Sequence, residues 1–242
     1  MPTGKTPVIF RESQLAHQLL DKLEGLEIGP AAHNPFGLRT RNVGLSPEHD
    51  PIDHDFFRQS QLENCGQVAP IHIAADAADI PLPNDSTDFV LHSHVWEHLL
   101  DPLRALEEWV RVTRPGGYIF VIVPKHDAAD SDRGRPVSSL SSLVAHYEQS
   151  RRTPKDAKPP GSSRGHHTVF SLELLREIGR WFNRSHFQAR LEEVAAAETD
   201  DKVGNGHTIV WRVDKSGFLR ASLRRFATLL SRESQHDIAH TS

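Results

Sequence analysis

The chain is poor in the residues that staple a fold or carry it across a lipid bilayer. Its 242 residues include one cysteine, Cys65, which excludes both an intramolecular disulfide and a thiolate zinc cluster. Nowhere does an apolar run approach the roughly 20 residues of a membrane span. The opening "MPTGKTPVIF" also lacks the apolar core of a signal peptide. A dominant charge sign is missing as well, since 28 Lys and Arg stand against 32 Asp and Glu for a net charge of -4. That balance gives no basic field for a phosphate backbone, so nucleic acid is not an expected partner. The expectation is a cytoplasmic protein without a membrane span, folded as one domain with insertions. Most of the 16 histidines are scattered singly, and their number by itself points nowhere.

What is present alternates between two periods. "RESQLAHQLLDKLE" at 11–24 sets Leu15, Leu19 and Leu23 four apart, an amphipathic helix. "GLEI", "RTRNVGL", "APIHIAADA" and "STDFVLHSHV" are short apolar runs, the last continuous enough for a strand buried on both faces. "DHDFFRQSQLENCG" reads as a helix ending at Gly66. In "DPLRALEEWVRVTRPGGY", Asp101 caps a helix, Pro102 sits in its first turn, and Leu103, Leu106 and Val110 share a face. "YIFVIV" is the clearest strand. "SSLSSLVAHYEQS" and "SLELLREIGRWF", the latter capped by Ser171, are helices, and "FQARLEEV" and "HTIVWRV" are strands.

Between His126 and Gly165 regular patterning weakens, so the segment is either an insertion without a role or a lid over a substrate. The tail 216–242 holds an amphipathic helix suited to the core, to a second subunit in a homodimer, or to an anionic surface. Strands alternating with helices imply an α/β fold with a mostly parallel sheet. Ligands of such sheets lie beyond the carboxyl ends of the strands. "LEIGPAAHNPFG" at 26–37 falls at such an end, and Pro30 and Pro35 force the backbone to turn just after Ile28.

Together, "EIGP" and "DAADIPLPNDSTDFVLHSHVWEHLLDPLRALEEWVRVTRPGGYIFVIVP" resemble the class I S-adenosylmethionine-dependent methyltransferases, particularly the small-molecule and glycan-modifying branch. The resemblance spans about residues 20 to 125 and, more loosely, "HHTVFSLELLREIG". It implies a Rossmann-like fold, with a seven-stranded, mostly parallel sheet covered by helices on both faces, and S-adenosylmethionine as cofactor. Glu27, Gly29 and Pro30 match the cofactor-facing turn, where glycine lets the backbone approach closely. Ala31 and His33 stand where the family has further glycines. Gly44 lies near the position of the family's ribose-binding acid, for which Glu48 or Asp50 is a substitute unless both are solvated loop charges. Asp76 and Ala77 match the adenine site, although Asp76 also suits a cap. Ser93, His94, Glu97 and His98 follow the fourth strand, near the reacting sulfonium.

The resemblance implies methyl transfer to a sugar or glycan hydroxyl, with an N-methyltransferase of a small metabolite or an inactive cofactor-binding scaffold as rivals. A hydroxyl nucleophile needs a base, and histidine, with an ordinary pKa near 6.5, suits that task. His94, His166 and His167 are the catalytic candidates. Asp127, Asp130 and Asp132 offer carboxylates to a magnesium ion or are solvated loop charges.

Overall fold

The computed structural model describes residues 7–48, 50–152, 164–185 and 188–216. Most of the predicted tail helix, and the centre of the segment after His126, lie outside the described residues.

Helix α1 (Gln14–Leu20) starts where Ser13 accepts from the Ala16 amide. It is shorter than the 11–24 pattern suggests. Strands β1 (Gly25–Ile28) and β2 (Thr40–Gly44) follow, then α2 (Pro51–Cys65), which is closed by Gly66 in the left-handed region at φ 73°. The third apolar run pairs over only two residues, β3 (Ile73–Ala74). Next come β4 (Thr87–Ser93), a 3-10 turn at Trp96–His98, and α3 (Pro102–Val112), whose cap Asp101 accepts from the Arg104 amide at 3.1 Å. Strand β5 (Thr113–Pro124) begins earlier than "YIFVIV". Thr113 already pairs with Thr87, and the stretch from the exposed Arg114 to the buried Gly117 bulges before pairing resumes at Tyr118. Helices α4 (Leu140–Ser150) and α5 (Leu172–Arg184) precede β6 (Arg190–Ala197) and β7 (Gly206–Asp214).

The seven strands form one sheet in the order β3-β2-β1-β4-β5-β7-β6. β1 through β5 run parallel, while β7 is antiparallel to both β5 and β6. The expected doubly wound α/β architecture is therefore present, with a reversed hairpin at one edge.

Alternation along the central strands divides the core between two faces. Phe89, Leu91, Phe120 and Ile122 pack with Ala16 and Leu20 of α1. Val90, Ile119, Val121 and Val123 pack with Leu103, Leu106 and Trp109 of α3 and with Leu175 and Ile178 of α5. The buried Trp96 stacks on Phe170 with centroids 5.1 Å apart and donates its indole N–H to the Pro102 carbonyl at 2.8 Å. This contact brings the segment after residue 164 against the 3-10 turn at the end of β4.

Candidate active site

At the end of β1, Gly29 adopts φ 61°, and a Cβ there would lie 2.6 Å from Val95 Cγ2. Both the backbone and the available space demand glycine. Its amide donates to the Val43 carbonyl at 2.9 Å, and Pro30 is buried behind it. The non-glycine half of the turn is held by other means. The Asn34 amide donates to the Ala31 carbonyl at 2.8 Å, the His33 carbonyl accepts from the Phe10 amide at 2.8 Å, and Asn34 Nδ2 donates to Ser93 Oγ at 3.2 Å. Asn34, absent from the sequence-based candidates, thus ties the β1 turn to the β4 end.

Glu27 is 9% exposed and accepts from Thr40 Oγ1 at a long 3.5 Å. Burial pushes its carboxyl up to about 7, against the opposing pull of Lys202 and the Thr40 hydroxyl. Lys202, on the β6–β7 connection, is itself buried and pushed down to about 8 by burial, with Glu27 foremost among the carboxylates opposing. Its ammonium donates to the Arg11 carbonyl at 3.2 Å and to the Pro35 carbonyl, and lies 4.3 Å from the centre of the Phe36 ring. Sequence reading had no signal for Lys202, which arrives from far along the chain.

At the end of β2, Gly44 faces Ile71 and Pro30 rather than carrying an acid. Asp50 caps α2 through Oδ1, which accepts from the Ile52 and Asp53 amides at 3.1 and 3.0 Å. Asp76 is exposed and uses Oδ1 to accept from the Ala78 amide at 2.7 Å, so it does brace a turn. The buried Ala77 offers its carbonyl to the Trp109 indole at 3.0 Å.

Beyond β4, His94 has φ 57°, an uncommon conformation for a residue with a side chain. Its Nδ1 lies 3.7 Å from Glu97 Oε1, and burial pushes its imidazole down to about 4, leaving it neutral at pH 7. Glu97 is fully buried, and burial pushes its carboxyl up to about 8. His98 Nδ1 is 3.1 Å from the Gly165 carbonyl. A carbonyl only accepts, so Nδ1 carries the proton and Nε2 the lone pair. Burial and the neighbouring His166 keep His98 low, at about 4. Asp101, not a histidine, caps α3.

The structure separates His166 from His167. His166 Nδ1 lies 2.6 Å from Asp132 Oδ2, and its ring meets that of His98 edge-on at 4.7 Å. His167 is exposed, and its amide donates to the Glu97 carbonyl at 2.7 Å. Asp132 is buried, with Arg135 Nη1 on its other oxygen at 2.6 Å. The solvated-loop reading of Asp132 is thus corrected, because the turn at Asp130–Asp132 folds inward to meet His166. Asp130 pairs instead with Arg133. Among the described residues, Asp127, Asp130 and Asp132 do not form a group able to hold an ion. A separate groove of about 350 Å³, between Tyr147 of α4, Arg151 just after that helix and Trp181 of α5, shares no residue with this cluster.

A sheet of this order, with a left-handed glycine turn after β1, defines a Rossmann-like cofactor domain. A methyltransferase domain model matches residues 37–121. A probable S-adenosylmethionine-dependent methyltransferase of Mycolicibacterium smegmatis is 38% identical over 138 residues, covering 53% of this chain and 50% of that protein. An uncharacterized methyltransferase of Mycobacterium sp. strain KMS is 37% identical over 75 residues, covering 31% and 27%. The chain therefore matches half or less of the length of these relatives. A Thermotoga maritima structure described as a possible histamine N-methyltransferase aligns over 84% of this chain and 87% of its own, at 18% identity and a TM-score of 0.46. Over the part that these matches cover, the chain is similar to S-adenosylmethionine-dependent methyltransferases.

The residues at the strand ends fit that cofactor. Asn34 Oδ1 and His94 Nε2 are buried without a hydrogen-bond partner among the described residues. These atoms, the buried carboxyl of Glu27 and the bare Cα of Gly29 are of the chemistry that an amino-acid group would need at the ends of β1 and β4. No described helix is long and apolar enough to cross a membrane.

Proposed function

We propose that the chain methylates a hydroxyl oxygen of a sugar, a glycan or a glycosylated small molecule, with S-adenosylmethionine as donor. The cofactor supplies a methyl group on a sulfonium that is already electrophilic. Glu27 accepts from its ammonium, Gly29 and Pro30 let the backbone approach, and Asp76 and Ala77 meet the adenine. Ser93 and His94 lie beside the reacting centre. Alignment of the nucleophile alone can contribute roughly 7 to 11 kcal/mol.

The observation that carries the oxygen-acceptor reading is the His166–Asp132 pair. A neutral amine arrives with its lone pair ready, whereas a hydroxyl must lose a proton. With Nδ1 of His166 donating to Asp132 at 2.6 Å, the ring is fixed in one tautomer and Nε2 is left as a base. The His–carboxylate arrangement of hydrolytic triads follows the same logic. His167 acts as a positioning residue, its amide holding the segment to the Glu97 carbonyl. The sugar or glycan acceptor is supported by the motif resemblance.

Titration with S-adenosylmethionine, followed by turnover on a panel of hydroxyl and amine acceptors, tests this reading. Tight binding with activity on hydroxyl acceptors is expected. His166→Ala should lower turnover by about 100- to 10,000-fold while leaving cofactor affinity unchanged. No binding at millimolar cofactor overturns the enzyme reading, and binding without turnover on any acceptor favours a scaffold.

A further inference from the structure

We propose that Glu97, His98 and His166 form a binding site for a divalent transition-metal ion, with Zn2+ the ion their donor set favours. One ligand atom from each of the three lies within 4.8 Å of the others, and Glu97 Oε1 is 3.8 Å from His98 Nε2. The two rings stand at 81° to each other with centroids 4.7 Å apart.

The count of protons makes the case. His98 commits its Nδ1 proton to the Gly165 carbonyl, and His166 commits its own to Asp132. Both therefore have a bare Nε2 to offer. Glu97, fully buried, has neither carboxylate oxygen hydrogen-bonded to any described residue. With Glu97 ionised, three lone-pair groups converge without a donor between them, a costly arrangement for buried polar atoms. A cation satisfies all three at once.

The surroundings match those of a metal centre. Ligating histidines usually give their second N–H to a carboxylate or a backbone carbonyl, which fixes the tautomer and raises basicity. His166 has the first kind of support and His98 the second. Arg135 in turn holds Asp132 at 2.6 Å and the His166 carbonyl at 2.9 Å. Two imidazoles and one carboxylate suit zinc, whereas magnesium and calcium favour oxygen ligands. Zinc ligands at about 2.0 to 2.1 Å in a tetrahedron lie roughly 3.4 Å apart. Small χ rotations of the two partly exposed histidines close the remaining gap. Three protein ligands leave a fourth position for water or an acceptor oxygen.

Metal binding is independent of methyl transfer, but the use made of it rests on that reading. The ion takes the lone pair that a His166 base requires, so in the loaded protein acceptor activation passes from the imidazole to the ion.

The test uses the untagged full chain, stripped with a chelator and titrated with Co2+ as a spectroscopic probe, then with Zn2+ in competition. One equivalent of Co2+ with a visible tetrahedral absorption band, displaced by Zn2+, is expected. His98→Ala and His166→Ala should each abolish the band, and Asp132→Asn should weaken affinity by about 10- to 100-fold, with circular dichroism unchanged. Folded wild-type chain that takes up no Co2+ overturns the proposal and points to a proton shared between Glu97 and the histidines. Uptake unaltered in the His98→Ala, His166→Ala double variant overturns it too. Parallel cofactor titration keeps the two readings apart, since binding of S-adenosylmethionine without Co2+ uptake refutes only the metal site, and the converse refutes only the methyltransferase assignment.

Discussion

Replacing Glu27 by Gln isolates the electrostatic cost of burying a carboxyl at the turn after β1. Burial raises the Glu27 carboxyl from 4.5 to about 7, so the folded chain holds that proton more tightly than the unfolded one does. The sign follows from proton linkage. Glu27 contributes its full stability below about pH 4.5, and that contribution is lost as the pH rises through 7. At 1.36 kcal/mol per pKa unit, the rise amounts to about 3 kcal/mol at pH 8. Glu97, raised to about 8, adds a slope of the same sign, so wild type alone does not resolve Glu27. The difference between wild type and Glu27→Gln does. Denaturant unfolding should show Glu27→Gln close to wild type at pH 4.5 and more stable by about 3 kcal/mol at pH 8. S-adenosylmethionine affinity should behave in the opposite way. Wild-type affinity should increase as Glu27 ionises through pH 7, and that of the variant should be lower and flat. A stability difference that does not change between pH 4.5 and 8 would refute the reasoning about burial, and equal cofactor affinities at pH 8 would remove Glu27 from the pocket.

Two further substitutions probe the frame that holds the site. Gly25→Ala places a Cβ 2.2 to 2.5 Å from ring atoms of the fully buried Phe89; overpacking of this kind costs about 1 to 3 kcal/mol, and a denaturation midpoint equal to wild type would contradict the packing of β1 on β4. Asp101→Ala removes the α3 cap on the Arg104 amide and the contact with the Ser150 hydroxyl; chemical denaturation should show a loss of about 1 kcal/mol, which a Ser or Asn replacement should largely restore.

The elements with strong local signals were legible in the sequence. α3 lies where Asp101, Pro102 and the Leu103–Leu106–Val110 face put it, and Gly66 ends α2 in the left-handed conformation. β6 runs to Ala197, beyond the predicted "FQARLEEV", because pairing with β7 rather than side-chain pattern sets its end. β5 starts early for the same reason, Thr113 being recruited by Thr87 across a bulge that breaks the apolar run.

The candidate site divides along similar lines. Sequence by itself determined the alternating α/β framework, the glycine turn after β1 and the Ser93–His98 segment after β4, because periodicity, capping and glycine act over a few neighbouring residues. Only the tertiary structure decided that Lys202 faces Glu27, that Asp132 turns inward to orient His166 while His167 stays outside, and that Glu97 loses its solvent beside His98. Each of these rests on burial and on contacts between segments far apart in the chain, and burial, which pushes the Glu27 and Glu97 carboxyls above the ordinary carboxylate range, leaves no trace in the local pattern of residues.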